Sequence, residues 1–586
     1  MFAFSKHDIR ILFAALLAWT TAALTLSGLV SHAVLLTGVG LLSLMGVVLC
    51  MLPLSNPLLA PLQHISQLSM LYACVILSVL CSCVVQDAFS RADIQSELST
   101  VHAQTVSARV TITSPLLASS LRGFTCSVEA TAQELTVRGI AQGSRRTMRI
   151  FARSPTDCVL QRGATYNIRG SIQFSTYGRG AWVLHLDHAE RIKPASMLDT
   201  FVEHLHTRFL DQTSRLDTQG AILVPGVTMG VMGHDVLNPS TAIISSSSSP
   251  SGSLENPGSD TTTQKGSDEV SPDGTNIVRK TSGKSSGASA RKTVAREAKK
   301  IKEAFRVAGI MHVLAVSGGH FALAVSLVTW VMKRMRAPRV LRAAAMIAAD
   351  ILLYIIMYPS DSILRAFIMG FFSAGYVYFG RRADSVSALS WTILCLLFVD
   401  PSYALSVGFS LSCAAVLGII LWSGWITRGL EHFLPHRLAG ACAVTLAAHV
   451  VTLPISLLIS PSIPVYAVVA NVLIAVPMDV ATVCGLLGLV FSWCVPVLGY
   501  ACVWVSSQCT SLMVMLAYWV SSWPYAQVDM SPWQLGVGYM VILVSGGVVW
   551  RFWAWYADAH AYEREYREPV KERWVAWWKE TLDMFR

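Results

Sequence analysis

Ile11-Leu-Phe-Ala-Ala-Leu-Leu-Ala-Trp-Thr-Thr-Ala-Ala-Leu-Thr-Leu-Ser-Gly-Leu29 runs for nineteen residues without a charged side chain. As a helix it is about 28 Å long, close to the roughly 30 Å of a bilayer's hydrocarbon core. Lys6 and Arg10 stand just before it, and apolar runs follow near residues 33–52 and 68–86. Positive charge collects on the cytoplasmic side, so the N-terminus is expected there, and three crossings place the next segment outside. No small-residue cleavage site follows the first run, which reads as a retained span rather than a signal peptide. Of the 586 residues 53% are hydrophobic and 14% charged, against about a quarter charged in soluble domains. That composition excludes a water-soluble enzyme. The net charge of +10 suits anionic lipid or nucleic acid, and does not choose between them.

After the three-span region, 1–89, the pattern changes. Residues 90–197 alternate polar and apolar in short runs, Thr105–Thr113, Thr125–Ala132, Thr147–Ala152, Tyr166–Ile172 and Ala181–Leu186, separated by Gly, Ser and Pro. Five short strands fit a small oligonucleotide-binding-like (OB-like) barrel outside the cell, or a sandwich. Between 101 and 193 there are twelve Lys or Arg and five Asp or Glu, an excess the positive-inside rule does not explain in an external domain. Phe151, Tyr166, Phe174, Tyr177 and Trp182 interleave with Arg149, Arg153, Arg169 and Arg179. Such a mixture stacks bases over a cationic groove, or fills a core and solvates it. Most of the thirteen cysteines sit singly in apolar runs as small core residues. Cys126 and Cys158 fall in the polar domain, and a disulfide between them fits a location outside the cytoplasm.

Residues 198–239 place Phe201, Leu205 and Phe209 at spacing four, a helix along the membrane surface, followed by the short apolar run Ala221–Met232. Residues 240–290, rich in Ser, Thr, Gly and Pro, cannot bury a core and are expected to be disordered. Within 291–555 a basic stretch opens with Val294, Ala298, Ile301, Phe305 and Ala308 on one helical face, which predicts a second interfacial helix. The apolar block from Ile310 to Trp555 then alternates with Lys/Arg clusters. With about nine spans there and three before, the expected fold is a polytopic α-helical membrane protein of about twelve spans with an inserted extracellular β-barrel. Pro454, Pro477 and Pro496 mark helices expected to be broken or re-entrant. Residues 556–586 read as a cytoplasmic amphipathic tail, so both termini are expected in the cytoplasm.

Polar groups inside apolar runs are expensive and mark candidate function. His312-Val-Leu-Ala-Val-Ser-Gly-Gly-His320 holds two imidazoles and a Ser317-Gly318-Gly319 break. On one continuous helix the histidines would share a face two turns apart, too distant for one metal. A re-entrant turn offering backbone N–H groups to phosphate is an alternative, and a close helix crossing with small residues is another. Arg365 lies a turn into an apolar run, Asp350 lies mid-span before it, and the two could form an ion pair, or Arg365 could meet a phosphate backbone. Asn471 and Asp479 flank Pro477 and could line a pathway or mend a broken helix. The run Val183-Leu-His185-Leu-Asp187-His188 resembles a metallo-hydrolase signature with its first histidine replaced, but lacks further ligands. No Walker A sequence is present. No cofactor is expected.

Three ordered motifs resemble those of the ComEC family of competence proteins. Ala308-Gly-Ile-Met-His-Val-Leu-Ala-Val-Ser-Gly-Gly-His320 is similar to the family's Ala-Gly-x-x-His-Leu-Leu-Ala-Val-Ser-Gly-Leu-His. Ser362-Ile-Leu-Arg-Ala-Phe-Ile-Met369 is similar to Ser-x-x-Arg-Ala-x-x-Met, and Pro401 with Gly408-Phe-Ser-Leu-Ser412 to a Pro and Gly-Phe-Gln-Leu-Ser. Asn471 to Pro477 continues the likeness. Gly319 stands for the usual Leu and Ser410 for the usual Gln. The resemblance implies a channel that carries single-stranded DNA across the bacterial cytoplasmic membrane, with the barrel receiving the strand. It implies as partners a DNA receptor, a cytoplasmic ATP-driven motor or single-strand-binding proteins, and a separate nuclease, since many members carry a C-terminal metallo-β-lactamase-like domain not seen here. Two other readings compete. One is a small-solute secondary transporter with Asp350 and Asp479 as proton-linked carboxylates, without a convincing internal repeat. The other is a membrane hydrolase using Ser317 with His312 or His320, with no carboxylate near in sequence to orient either histidine.

Overall fold

The computed structural model describes residues 6–27, 75–84, 104–119, 123–137, 140–143, 147–154, 158–174, 182–236, 283–314, 316–381, 384–529 and 534. Contacts divide the chain into two units, residues 1–452 with 464–526, and 453–463 with 527–586.

The alternating segments form a closed barrel. Strands β1 (Gln104–Ile112), β2 (Leu117–Ala118), β3 (Cys126–Val137), β4 (Ile140–Gly143), β5 (Thr147–Ala152), β6 (Thr165–Phe174) and β7 (Trp182–Lys193) make one sheet. The order β1-β6-β7-β5-β3 closes by the pairing of β3 with β1, while β2 and β4 are short additions on β3. Every pairing in the ring is antiparallel except β5 with β7. Closure leaves no edge in the five-stranded ring. Alternation puts Val106, Ala108, Val110, Val128, Ala130, Met148, Ile150, Ile168 and Leu184 inside, each at most 2% exposed. Cys126 and Cys158 are joined by a disulfide, with Cα atoms 6.1 Å apart.

Helix α1 (Lys6–Leu26) and α2 (Val75–Val84) precede the barrel. After it come α3 (Met197–Ser214) and α4 (Thr218–Met229). Ser196 caps α3, its hydroxyl accepting from the Asp199 N–H at 3.1 Å. The buried stripe of α3 is Val202, Leu205, His206, Phe209, Gln212 and Thr213, packed against two later helices. Leu205 and Phe209 take the buried places their spacing predicts, but Phe201 is 43% exposed, edge-on to Trp493 at 5.2 Å. Helix α4 is buried along nearly its whole length and ends at Gly230, whose φ of 83° suits glycine.

The remaining helices are α5 (Gly283–Val307), α6 (Gly318–Arg334), α7 (Arg339–Ile356), α8 (Asp361–Tyr378), α9 (Ser385–Val399), α10 (Val407–Leu430), α11 (His436–Ile459), α12 (Ala467–Cys494) and α13 (Pro496–Ser521), with a 3-10 turn at Met311–Leu314. Among the described residues four helices are long and apolar enough to cross a membrane: α10, α11 over His436–Leu457, α12 and α13. Shorter apolar helices lie at Ile11–Leu26, Val75–Val84 and Ser385–Val399. The expected spans near 33–52 and just before residue 555, the segment 240–282 and the tail 556–586 lie outside the described residues, so the count of about twelve is not reached here. The protein is a membrane protein by these helices.

The expectation of broken helices is corrected at two prolines. Helices α11 and α12 continue past Pro454 and Pro477 without a break. In apolar surroundings losing one backbone bond to a proline is cheaper than unwinding a turn and orphaning several. Pro496 opens α13, where its missing N–H would have no helical partner anyway.

Candidate functional site

Ser317-Gly318-Gly319-His320 is a helix start. The chain leaves the 3-10 turn, and Ser317 caps α6 by accepting from the Gly319 N–H at 3.3 Å. The Nδ1 of His320 accepts the Ser317 N–H at 3.4 Å, completing a reciprocal cap. Its Nε2 therefore carries the proton, and donates to the Val227 carbonyl at 2.7 Å. Val227 lies in the last turn of α4, where carbonyls lack helical partners. His320 is 1% exposed and ties the start of α6 to the end of α4, with neither ring nitrogen left for a passing ligand. The continuous-helix alternative is thereby corrected: His312 lies in the 3-10 turn and is exposed, and Val316 and Ser317, outside any helix, separate that turn from the helix that holds His320. His449 of α11 is within electrostatic range of His312.

Arg365, on the second turn of α8, is 3% exposed. Its Nε donates to Ser412 Oγ at 2.7 Å, and Nη1 approaches Met369 Sδ at 3.5 Å. Its Nη2 fills the space beside Gly318, since a Cβ there would lie 2.5 Å away. One guanidinium thus touches all three motif segments: Gly318 on α6, its own α8, and Ser412 on α10. A second joint reinforces the first, because Ser406 Oγ, which caps α10, also bonds Asp361 Oδ2 in the first turn of α8. Ser412, Ser406 and Asp361 were not singled out from the sequence. Their signal was the position of each hydroxyl or carboxylate within a motif segment or its flank.

The Arg365–Asp350 ion pair is not formed. Asp350, on α7, is 1% exposed and faces Gly370 of α8, and neither carboxylate oxygen has a hydrogen-bond partner among the described residues. Asn471 and Asp479 share α12. Asn471 Nδ2 donates to the Ala467 carbonyl one turn back at 2.8 Å. Asp479 is exposed and within electrostatic range of His320.

The barrel's outer face carries a second grouping. Met148, Ile150 and Ala152 of β5 point into the core, so Phe151 points out, yet it is only 5% exposed. Phe124 covers it at 5.6 Å between ring centroids, and stacks on His185 of β7 at 4.7 Å with 16° between planes. Arg153 lies over the Phe124 ring at 5.4 Å. Burial in this stack, and then the charge of Arg153, pull the His185 pKa below the usual imidazole value, while Asp187 acts the other way. Arg149 pairs with Glu129. Arg169 is exposed on β6. Tyr177 and Arg179 lie outside the described residues. Trp182 corrects the sequence reading: it is 6% exposed within the barrel core, as is Tyr166, and its ring is not available to a base. Phe124 and His185 were missed as stacking residues because the pairing of distant strands brings them together. No group of three or more His, Cys, Asp or Glu side chains that could hold a metal occurs among the described residues.

Residues 295–553 match the family described as competence protein. No curated protein and no solved structure matches the chain. The match spans all three motif segments, from Ser317 through Arg365 to Ser412, and over that part the chain is similar to the competence proteins.

Proposed function

We propose that the protein carries single-stranded DNA across the bacterial cytoplasmic membrane during natural transformation, with the barrel as receiving domain and the helical core as conduit. The observation that carries this reading is the half-buried Phe124–His185 ring pair beside Arg153 on the barrel's outer surface, backed by the buried Phe151. The ring order, with its single parallel pair, is that of the oligonucleotide-binding barrel, whose second and third strands present the ligand face. Those are β3 and β5 in this chain. Stacked rings accept any base through its π-face, and a neighbouring guanidinium adds phosphate attraction without sequence preference.

In this scheme the barrel lies outside and both termini lie in the cytoplasm, as the Lys6 and Arg10 charges favour. Arg365 holds α6, α8 and α10 in one arrangement, and His320 holds α6 to α4. Both side chains are engaged with protein, which favours a positioning role for them. The exposed His312 and Asp479 remain available to a pathway. A motor, a strand-degrading nuclease and a DNA receptor are the partners this scheme calls for.

Fluorescence anisotropy of a labelled oligothymidylate with the full-length protein tests the receiving site. Phe124→Ala with Arg153→Ala is expected to weaken binding by about 10- to 100-fold, from about 1–3 kcal/mol for each lost stacking contact. Wild-type affinity in that variant would remove the site from the scheme.

A further inference from the structure

We propose that the exposed basic face of α5, formed by Arg296, Lys299 and Lys300, is a second phosphate-binding site for the single strand, lying beyond the barrel's ring stack. This deepens the DNA-uptake reading and rests on it.

Helix α5 carries eight Lys or Arg and two Glu. Its inner face is fixed: Ala298, Ile301, Ala304, Phe305 and Ala308 are each at most 6% exposed, and the helix packs against α4 and α13. Two cations near its C-terminus are matched by acids, Lys302 to Asp235 at 3.5 Å and Arg306 to Glu303 at 2.6 Å. Arg296, Lys299 and Lys300 are exposed, and among the described residues none lies within ion-pair distance of an acid, Lys299 being within electrostatic range of Glu303, which Arg306 already pairs. At i, i+3 and i+4 they share one side of the helix within about 6 Å along its axis. Like charges at that spacing repel one another, and a polyphosphate relieves the repulsion by bringing several negative charges to a rigid row.

The row's position connects it to the barrel. Asp235 takes Lys302 on one carboxylate oxygen and His234, at 3.2 Å, on the other. Its backbone carbonyl accepts the Ala118 N–H of β2 at 2.7 Å, and Leu117 bridges to Val236. Strand β2 belongs to the connection between β1 and β3, the loop that in oligonucleotide-binding barrels borders the ligand face. A strand leaving that face has α5 as the next cationic surface joined to the same connection.

The test uses the full-length protein in nanodiscs of phosphatidylcholine, with labelled oligothymidylates of about 5 and about 30 nucleotides, the first short enough for one barrel. R296Q/K299Q/K300Q keeps good helix formers and removes the charge. It is expected to bind the short probe as wild type and the long probe about 10-fold more weakly at low salt. The slope of log affinity against log salt should fall by about 2, from about 0.7 for each of three phosphates on a single strand. The charge-keeping R296K/K299R/K300R should bind both probes as wild type. Wild-type affinity and slope for the long probe in the glutamine variant would overturn the inference. If F124A/R153A still weakens both probes in that case, the DNA reading stands without it, and if that variant also binds as wild type both fall. A glutamine variant that loses only binding to phosphatidylglycerol vesicles would make this face a lipid site and equally overturn the proposal.

Discussion

Arg365 and Gly318 make a matched pair, and each predicts the behaviour of the other. Gly318→Ala would push a Cβ to 2.5 Å from the guanidinium, so the arginine must leave Ser412 or the start of α6 must shift. DNA internalisation should fall at least as far as with Arg365→Ala, while the protein stays in the membrane; uptake at the wild-type level in a membrane-inserted G318A variant would show that the contact is dispensable. His320→Ala leaves the Val227 carbonyl and the Ser317 N–H without their partners, a destabilisation of about 1–3 kcal/mol for each buried group, readable as a lower thermal midpoint of the purified protein. Outside the membrane-crossing helices, Nε2 of His206 on α3 donates to the Ile356 carbonyl at 2.8 Å. Burial pushes its pKa down to about 4. The unfolded histidine titrates near 6.5, so the neutral ring carries no penalty above that pH. Between pH 6.5 and 4 the unfolded chain takes up a proton that the folded one refuses, and stability falls by about 3 kcal/mol. A plot of thermal midpoint against pH should flatten over that interval in His206→Gln, and an unchanged slope would contradict the assignment.

At the scale of elements, the disulfide closes a separation of 32 residues between the start of β3 and the loop before β6. Chain-entropy arithmetic gives about 3–4 kcal/mol for a loop of that length. Replacing both cysteines by serine should lower the barrel's resistance to protease and heat in the full chain, with less effect on α10 to α13; an unaltered protease midpoint would show that the barrel core alone sets its stability. The five ring strands were legible from alternation because each buries one face, although β3 and β7 run five and seven residues past the expected ends at Ala132 and Leu186, and the inner face of α5 was legible from its 3.6-residue period. The prolines misled at 454 and 477. Local propensity marks them as breakers, while the apolar surroundings that penalise unwinding belong to the tertiary structure. Trp182 misled for a similar reason, since an aromatic at the start of a strand faces in or out according to register, which depends on its partner strands.

For the whole molecule, the motifs could be found along the chain but their meeting could not. Nothing in the spacing of Gly318, Arg365 and Ser412 says that one side chain touches the other two, and the Asp350 partner suggested by proximity in sequence is absent from the contact. Sequence reading located the chemistry within each segment, and packing decided which groups are fasteners and which are offered to a ligand. Passage of DNA through the membrane is the activity proposed for this chain. It is tested most directly in a competent host whose copy has been deleted, by supplying labelled DNA and measuring the label that becomes resistant to external nuclease. The deletion strain is expected to keep surface-bound label but to protect none, the wild-type chain to restore protection, and the Arg365→Ala chain, present in the membrane, to leave the label unprotected. Protected label at the wild-type level in the deletion strain would contradict the proposal.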